Sequence, residues 1–338
     1  MAHFSLLIAL SAAFLAPAAR ASSQGLYAIA PTTGQLLLVN QTDGTRSPIG
    51  PGLAALGWVV PADCTPTATD TTGKWVYTFA RRAGAPPATT PWSVLSLELR
   101  DGSIRKEYEL PPAFPPSLAA CEHGLAEDGA WHAYISAVTR DAAKPRRLVV
   151  WRFTYTWPAS NESAPLIDVP LASLGMGDAP AGALSTTVTN FSWWISLADG
   201  LVGVDLLTLA PTQTLPLAPG AGARVDGLQY DISGEPRVTY GVLVSAAGQT
   251  SVLSFVDAGG SGPIKPAGLS QTSVPAAPDV ANRVALVNDH GSLAIVSNSA
   301  IVTLDLNGTL LARAPACSGG GGGGGACPIA IAYEPFVF

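Results

Sequence analysis

The sequence predicts an all-β chain built from repeated four-stranded units. Charged residues make up only 12% of the chain and hydrophobic residues 48%, and 35 glycines and 29 prolines separate short apolar runs. Low charge with frequent turn residues is typical of many short strands joined by tight turns. Helical periodicity is missing after the N-terminal apolar segment, which favours the same fold class.

The repeating unit is visible in GLYAIAPTTGQLLLVNQTDGTRSPIG, residues 25–50, where polar turns separate three apolar runs. Similar patterns recur at intervals of roughly 45 to 60 residues, near the blade length of propeller repeats. Asp43-Gly44, Asp101-Gly102 and Asn307-Gly308 are pairs that predict hairpins within these units.

The two ends of the chain complete each other. The first unit lacks an innermost strand, and CPIAIAYEPFVF at the C-terminus is a strand with no unit of its own. Joining them closes a ring and leaves only short, protected sheet edges. The sequence therefore predicts a six-bladed β-propeller whose N- and C-terminal strands share one blade. Seven blades, or two β-sandwich domains, are the alternatives.

The phrase LYAIAPTTGQLLLVN, residues 26–40, resembles the LYaiDpxTG phrase of YVTN-type and TolB-like blades. The chain thus resembles the six-bladed propellers of secreted proteins, a group that includes lactonase-like blades. The resemblance implies that function lies on the face formed by segments that enter innermost strands or join second to third strands. These segments are residues 50–63, 80–91, 111–122, 140–146, 174–181, 220–226 and 270–283.

Residues 1–21 predict a secretory signal peptide. An apolar stretch over 4–16 precedes the small-x-small pattern Ala19-Arg20-Ala21, and it is shorter than the roughly 20 residues of a membrane span. Residues 22–338 are expected to form one extracellular domain with no stable membrane span and with a glycine-rich, low-complexity loop at 318–326. A net charge of −6 without a basic stripe disfavours nucleic acid as a partner.

The secretory interpretation predicts two kinds of covalent modification. Four cysteines in an oxidising compartment predict two disulfides with three possible connectivities. Pairing Cys64 with Cys121 and Cys317 with Cys327 is favoured, because the second bond ties the ends of the glycine tract. Sequons for N-glycosylation begin at Asn40, Asn161, Asn190 and Asn307.

The most specific chemical prediction is a metal ion bound in the central channel of the propeller. Acids near the start of innermost strands would converge on the central channel and could hold Ca²⁺ through oxygen ligands. The candidates are Asp63, Glu122, Asp226 and Asp279. Solvated loop acids are the alternative interpretation. His123 beside Glu122 could form an acid–base pair or be a hydrogen-bonded structural histidine.

The remaining motifs favour binding over catalysis. The sequence has no Gly-x-Ser-x-Gly elbow, no Walker loop and no His-Glu-x-x-His pair. The adjacent Trp193 and Trp194 predict core packing, because neighbours on a strand face opposite blades. We therefore expect a secreted, non-catalytic binding or scaffold propeller without a cofactor, which recognises a protein or glycan through one loop face. A Ca²⁺-dependent hydrolase of the lactonase or esterase type is the alternative.

Overall fold

Short runs rich in β-branched and aromatic residues form the strands, and turns with glycine or aspartate end them. The computed structural model describes residues 26–30, 33–40, 43–60, 67–69, 75–84, 90–110, 123–127, 132–138, 147–154, 160–161, 167–174, 186–189, 191–197, 200–217, 224–231, 236–245, 247, 249–271, 283–287, 291–296, 300–315 and 330–333. Within these residues, no helix is long and apolar enough to cross a membrane.

The described elements are strands and two 3-10 helices, η1 (Leu53–Leu56) and η2 (Leu171–Leu174). The strands in chain order are β1 (Leu26–Ile29), β2 (Leu36–Val39), β3 (Arg46–Ile49), β4 (Trp58–Val59), β5 (Thr67–Thr69), β6 (Trp75–Arg82), β7 (Ser93–Glu98), β8 (Ile104–Glu109), β9 (His123–Glu127), β10 (His132–Val138), β11 (Arg147–Thr154), β12 (Ser160–Asn161), β13 (Ile167–Pro170), β14 (Thr186–Val188), β15 (Ser192–Leu197), β16 (Gly200–Asp205), β17 (Pro211–Pro216), β18 (Arg224–Asp231), β19 (Val238–Val244), β20 (Thr250–Phe255), β21 (Gly262–Pro263), β22 (Gly268–Gln271), β23 (Arg283–Val287), β24 (Ser292–Val296), β25 (Ala300–Asp305), β26 (Leu310–Pro315) and β27 (Ala330–Tyr333).

The described strands form six sheets, which we call blades I to VI. From the innermost strand outward they are β27-β1-β2-β3 (I), β5-β6-β7-β8 (II), β9-β10-β11-β12 (III), β14-β15-β16-β17 (IV), β18-β19-β20-β22 (V) and β23-β24-β25-β26 (VI). Three blades carry an extra strand. In blade II β4 pairs with β6, in blade III β13 pairs with β11, and in blade IV β21 runs parallel to β17.

The innermost strands contact one another in a closed cycle, in the order β27, β5, β9, β14, β18, β23 and back to β27. The chain is a β-propeller. Blade I is the closing blade, since β27 pairs with β1 with Ala330 opposite Ile29 and Tyr333 opposite Leu26. The predicted all-β propeller fold and the predicted sharing of a blade by the two ends are confirmed. The sandwich alternative is wrong, because sandwiches do not place innermost strands in a ring.

The hydrophobic core lies between blades, so both faces of a blade are buried. In β1, Leu26 and Ala28 pack toward Ala294 and Ile301 of blade VI, while Tyr27 and Ile29 pack toward blade II. The two adjacent tryptophans follow the same alternation. Trp193 joins the cluster with Leu148 of blade III, and Trp194 joins the cluster with Phe255 of blade V. Core packing of both tryptophans is therefore confirmed.

One six-residue turn recurs between strands, over residues 30–35, 40–45, 98–103 and 205–210. In each turn the first N–H donates to the sixth carbonyl, and the fifth N–H donates to the first carbonyl. The fifth residue is left-handed, with φ of +62° at Gly34, +74° at Gly44 and +69° at Gly102. Leu209 holds this position in blade IV at φ +56°, where an L side chain is strained.

The strand order defines two faces of the propeller. The connection face carries the segments from an outermost strand to the next innermost strand, and the segments between second and third strands. The turn face carries the segments between first and second strands and between third and fourth strands. Predicted loop boundaries are wrong in three segments. Strand β6 extends to Arg82, and β18 begins at Arg224 and includes Asp226. Strand β22 extends to Gln271, and β23 begins at Arg283, because strand pairing continues through these residues.

Candidate functional site

The predicted channel acids are only partly covered by the structure. Asp226 is the third residue of the innermost strand β18, beside a register shift between Asp226 and Leu228. Asp63, Glu122 and Asp279 lie outside the described residues, in segments that precede β5, β9 and β23. The described residues hold no group of three or more His, Cys, Asp or Glu side chains that could bind a metal. The calcium site therefore stays a prediction.

Other predicted residues have mixed outcomes. His123 is the first residue of the innermost strand β9, as expected. Cys64, Cys121, Cys317 and Cys327 lie outside the described residues, so their pairing stays a prediction. Asn40 and Asn307 are exposed in turns, Asn161 lies on β12, and Asn190 lies outside the described residues.

A cleft lies between blades I and II, lined by residues after β3 and at the end of β6 on the connection face and by Ser103 in the turn that precedes β8. It begins with the connection after β3, which Gln35 anchors through Nε2 bonds to the carbonyls of Ile49 (2.9 Å) and Gly50 (3.0 Å). The N–H of Ala54 in η1 donates to the Thr33 carbonyl at 2.9 Å. These bonds hold η1 against the neighbouring turn, so one wall of the cleft is rigidly placed.

Strand pairing sets the centre of the cleft. Because β4 pairs antiparallel with the end of β6, Trp58 lies opposite Arg82. The Arg82 guanidinium carbon lies 3.9 Å from the centroid of the Trp58 ring, a cation–π contact. Arg82 Nη2 also donates to Glu107 Oε2 of β8 at 2.6 Å. The indole is buried at 2% exposure, while both charged groups of the pair reach solvent.

The cleft has a volume of about 460 Å³, within the usual range for ligand pockets of roughly 300 to 1,000 Å³. Among its lining side chains, Leu56 is apolar and 39% exposed. The lining residues are Pro51, Leu56, Trp58, Arg82, Ser103, Ile104 and Glu107. The site thus combines an apolar wall with an ion pair open to solvent.

The described lining residues of the cleft offer few groups for nucleophilic or acid–base chemistry. Nucleophilic and acid–base mechanisms need a nucleophile beside a base, or two groups whose pKa values differ. Among the described lining residues, Glu107 is the one carboxylate and already accepts from Arg82, and none is histidine or cysteine. Ser103 donates its hydroxyl to Asp101 at 2.5 Å, in the turn that precedes β8.

Sequence reasoning did not find this cleft. The predicted loop over residues 80–91 contains Arg81 and Arg82, but no motif singles out Trp58 or Glu107. The available signal was a tryptophan in the connection to blade II and an arginine pair at the end of a strand. No local pattern shows that β4 pairs with β6, so the contact between Trp58 and Arg82 could not be predicted from the sequence.

A second polar cluster lies buried between blades IV and V. Asp257 Oδ2 accepts from Thr189 Oγ1 at 2.5 Å and from Trp194 Nε1 at 3.0 Å. Asp257 Oδ1 accepts from Gln213 Nε2 at 3.0 Å and from the Gly259 N–H at 2.9 Å. Burial raises the pKa of this carboxyl, but the four hydrogen bonds outweigh burial and hold the pKa below its usual value. Because every donor is satisfied inside the protein, the cluster is a structural link and not an open site.

Comparisons with known proteins agree with the fold and go no further. No protein-family model and no curated protein matches the chain. A solved protein of unknown function from Desulfotomaculum acetoxidans is similar at a TM-score of 0.55 and 11% identity, over 92% of this chain and 86% of that one. The periplasmic gluconolactonase PpgL of Pseudomonas aeruginosa is similar at a TM-score of 0.47 and 13% identity, over 90% of this chain and 81% of that one. A glucose dehydrogenase is similar at a TM-score of 0.47 and 15% identity, over 86% of this chain and 92% of that one. At these identities the likeness concerns the fold alone.

Proposed function

We propose that this protein is an extracellular, non-catalytic binding propeller that takes a segment of a partner protein into the cleft between blades I and II. The observation that carries the proposal is the Trp58–Arg82–Glu107 arrangement in a cleft that the exposed Leu56 also lines. Protein interfaces combine buried aromatic and arginine anchors with apolar surface in this way. The expected extracellular location comes from the predicted signal peptide.

The low exposure of Trp58 favours a protein partner over a glycan partner. Sugars bind to tryptophan by stacking on an open ring face, but this ring is 2% exposed and Arg82 lies over it. The exposed apolar side chain of Leu56 in the lining is aliphatic. Aliphatic surface is better covered by an apolar side chain of a protein partner than by a polar saccharide.

The charges in the cleft suggest the sequence of the bound segment. The guanidinium of Arg82 has five N–H donors, and Glu107 accepts from one of its terminal nitrogens. The remaining donors suit a carboxylate of the partner. The expected motif is therefore an apolar residue that covers Leu56 and Ile104, with an aspartate or glutamate close to it that pairs with Arg82.

A random-peptide phage library selected on the immobilised protein tests this proposal. Enriched peptides should share an apolar residue next to an acid, and their affinity is then measured by fluorescence anisotropy. Leu56→Asp and Arg82→Glu should each weaken binding about tenfold, which corresponds to about 1.4 kcal/mol. Leu207→Asp is the matched control, because Leu207 is 93% exposed on the turn face of blade IV.

Three results would contradict the proposal: no enriched motif, binding that Leu56→Asp leaves unchanged, or equal losses from Leu56→Asp and Leu207→Asp. Charge reversal adds a sharper check. Replacing the acid of an enriched peptide with lysine should restore binding to the Arg82→Glu variant. A purely structural effect of Arg82→Glu would give no such rescue.

The Ca²⁺-dependent hydrolase remains the alternative, and no contact of a described residue favours it. A ligand that binds the folded state raises the unfolding midpoint. We expect the same thermal midpoint in excess Ca²⁺ and in chelator. A Ca²⁺-dependent rise that Asp226→Asn reduces would favour the channel metal and direct substrate tests to lactones and esters.

A further inference from the structure

Two described sequon asparagines lie on the turn face. Asn40 lies between β2 and β3, and Asn307 lies between β25 and β26. Both positions join a third strand to the outermost strand of a blade. The sequence alone does not show that they share a face, because this depends on which end of its blade each asparagine occupies.

Asn40 and Asn307 are presented in rigid turns. The Asn40 N–H donates to the Thr45 carbonyl at 2.9 Å, and the Gly44 N–H donates to the Asn40 carbonyl at 2.8 Å. Asp305 Oδ1 accepts from the N–H groups of Asn307 (2.9 Å) and Thr309 (2.7 Å). Both asparagines are exposed. Their backbones are therefore fixed while a modified side chain has room to extend into solvent.

An apolar surface adjoins Asn307. Leu310 and Leu311 begin the outermost strand β26 three and four residues after the asparagine, and they are 45% and 56% exposed. Two exposed leucines at a sheet edge favour aggregation unless something covers them. A glycan on Asn307 would leave from the turn that leads into this edge and is large enough to lie over both side chains.

We propose that Asn40 and Asn307 carry N-linked glycans, that the turn face is the sugar-covered face, and that the Asn307 glycan covers Leu310 and Leu311. The donor is a lipid pyrophosphate-linked oligosaccharide. The side-chain amide nitrogen bonds to the anomeric carbon and loses a proton, the bond from that carbon to the phosphate oxygen breaks, and the lipid pyrophosphate leaves. This inference is independent of the proposed cleft function.

The first experiment measures occupancy on the full chain secreted from a eukaryotic cell line. Intact mass is compared before and after peptide N-glycosidase F for wild type, Asn40→Gln, Asn307→Gln and the double variant. Each single variant should lose one glycan. Asp101→Asn, which creates a sequon with Gly102 and Ser103 in the equivalent turn of blade II, should gain one. An unmodified mass at either asparagine would overturn the assignment for that site.

The second experiment tests what the Asn307 glycan covers. Asn307→Gln should increase the fluorescence of a hydrophobic-surface dye and the rate of aggregation, whereas Asn40→Gln should not. Adding Leu310→Ser and Leu311→Ser to Asn307→Gln should return both readouts to the wild-type level. Equal effects of Asn40→Gln and Asn307→Gln, or no rescue by the serines, would contradict the covering role. Thermal midpoints of all variants separate this effect from loss of folding.

Discussion

Two buried tryptophans at blade interfaces differ in their polar partner, which is a buried carboxylate for one and an exposed guanidinium for the other. Trp194, between blades IV and V, donates to the buried Asp257 and packs edge-to-face on Phe255 with ring centroids 4.8 Å apart. Trp58, between blades I and II, contacts the solvent-accessible Arg82. A buried carboxylate with four donors stabilises an interface, whereas an exposed ion pair contributes little to stability and can exchange partners. The polar partner of the first interface is buried, and that of the second reaches solvent.

The largest expected effect comes from removing Asp257. Asp257→Ala leaves Trp194 Nε1 buried without its acceptor and removes one of the two acceptors of Gln213 Nε2, the other being Ser192 Oγ at 3.2 Å. We therefore expect a loss of about 3 kcal/mol in the free energy of unfolding. Asp205→Ala is the matched control, because it removes an aspartate that accepts three hydrogen bonds in an exposed turn, where water replaces it. Denaturant titration measures both. Equal losses would contradict the difference between buried and exposed carboxylates.

The second prediction concerns the backbone contact between blades I and II. A Cβ added to Gly102 would lie 2.5 Å from the Ile49 carbonyl oxygen at φ +69°. Gly84 has φ +83° and nothing within 4 Å of such a Cβ. We expect Gly84→Ala to cost about 1 kcal/mol from the left-handed backbone, and Gly102→Ala about 2 kcal/mol more from the clash. Equal losses of stability in Gly84→Ala and Gly102→Ala would mean that blades I and II separate easily at this contact.

The third prediction uses pH to isolate Asp257. Its pKa is lowered in the folded state, so its contribution to stability is complete above the unfolded-state pKa and is lost as pH falls through the folded pKa. Asp43, Asp101, Asp205 and Asp305 also have lowered pKa values, each held by hydrogen bonds within its turn. The stability difference between wild type and Asp257→Asn should therefore narrow in acid. A difference that stays constant with pH would show that the carboxylate charge does not matter.

The smallest effect is expected at the cleft. Arg82→Met removes an exposed ion pair and a cation–π contact, which together contribute less than about 1 kcal/mol to stability at such sites. The variant should unfold near the wild-type midpoint and still lose peptide binding. A destabilisation as large as that of Asp257→Ala would indicate that Arg82 is structural and would argue against the cleft as a binding site.

Local patterns were enough to predict much of the fold. The turn at Asp43-Gly44 and the one at Asp101-Gly102 were predicted because aspartate caps the turn and glycine takes the left-handed position. The turn in blade IV has Leu209 in that position, so no glycine marks it. The loop boundaries near Asp226 and Arg82 were misplaced, because pairing with a distant strand extends a strand beyond its local pattern.

The sequence by itself determined the short strands, the tight turns and the complementary ends of the chain. Each depends on neighbouring residues or on a repeat period, which a linear pattern contains. Only the tertiary structure decided that Arg82 lies over Trp58 beside Glu107, that Asp257 accepts from Trp194, and that Asn40 and Asn307 share one face. These features join residues that are distant along the chain. Their positions follow from strand pairing and from the order of the blades around the ring, which no local pattern specifies.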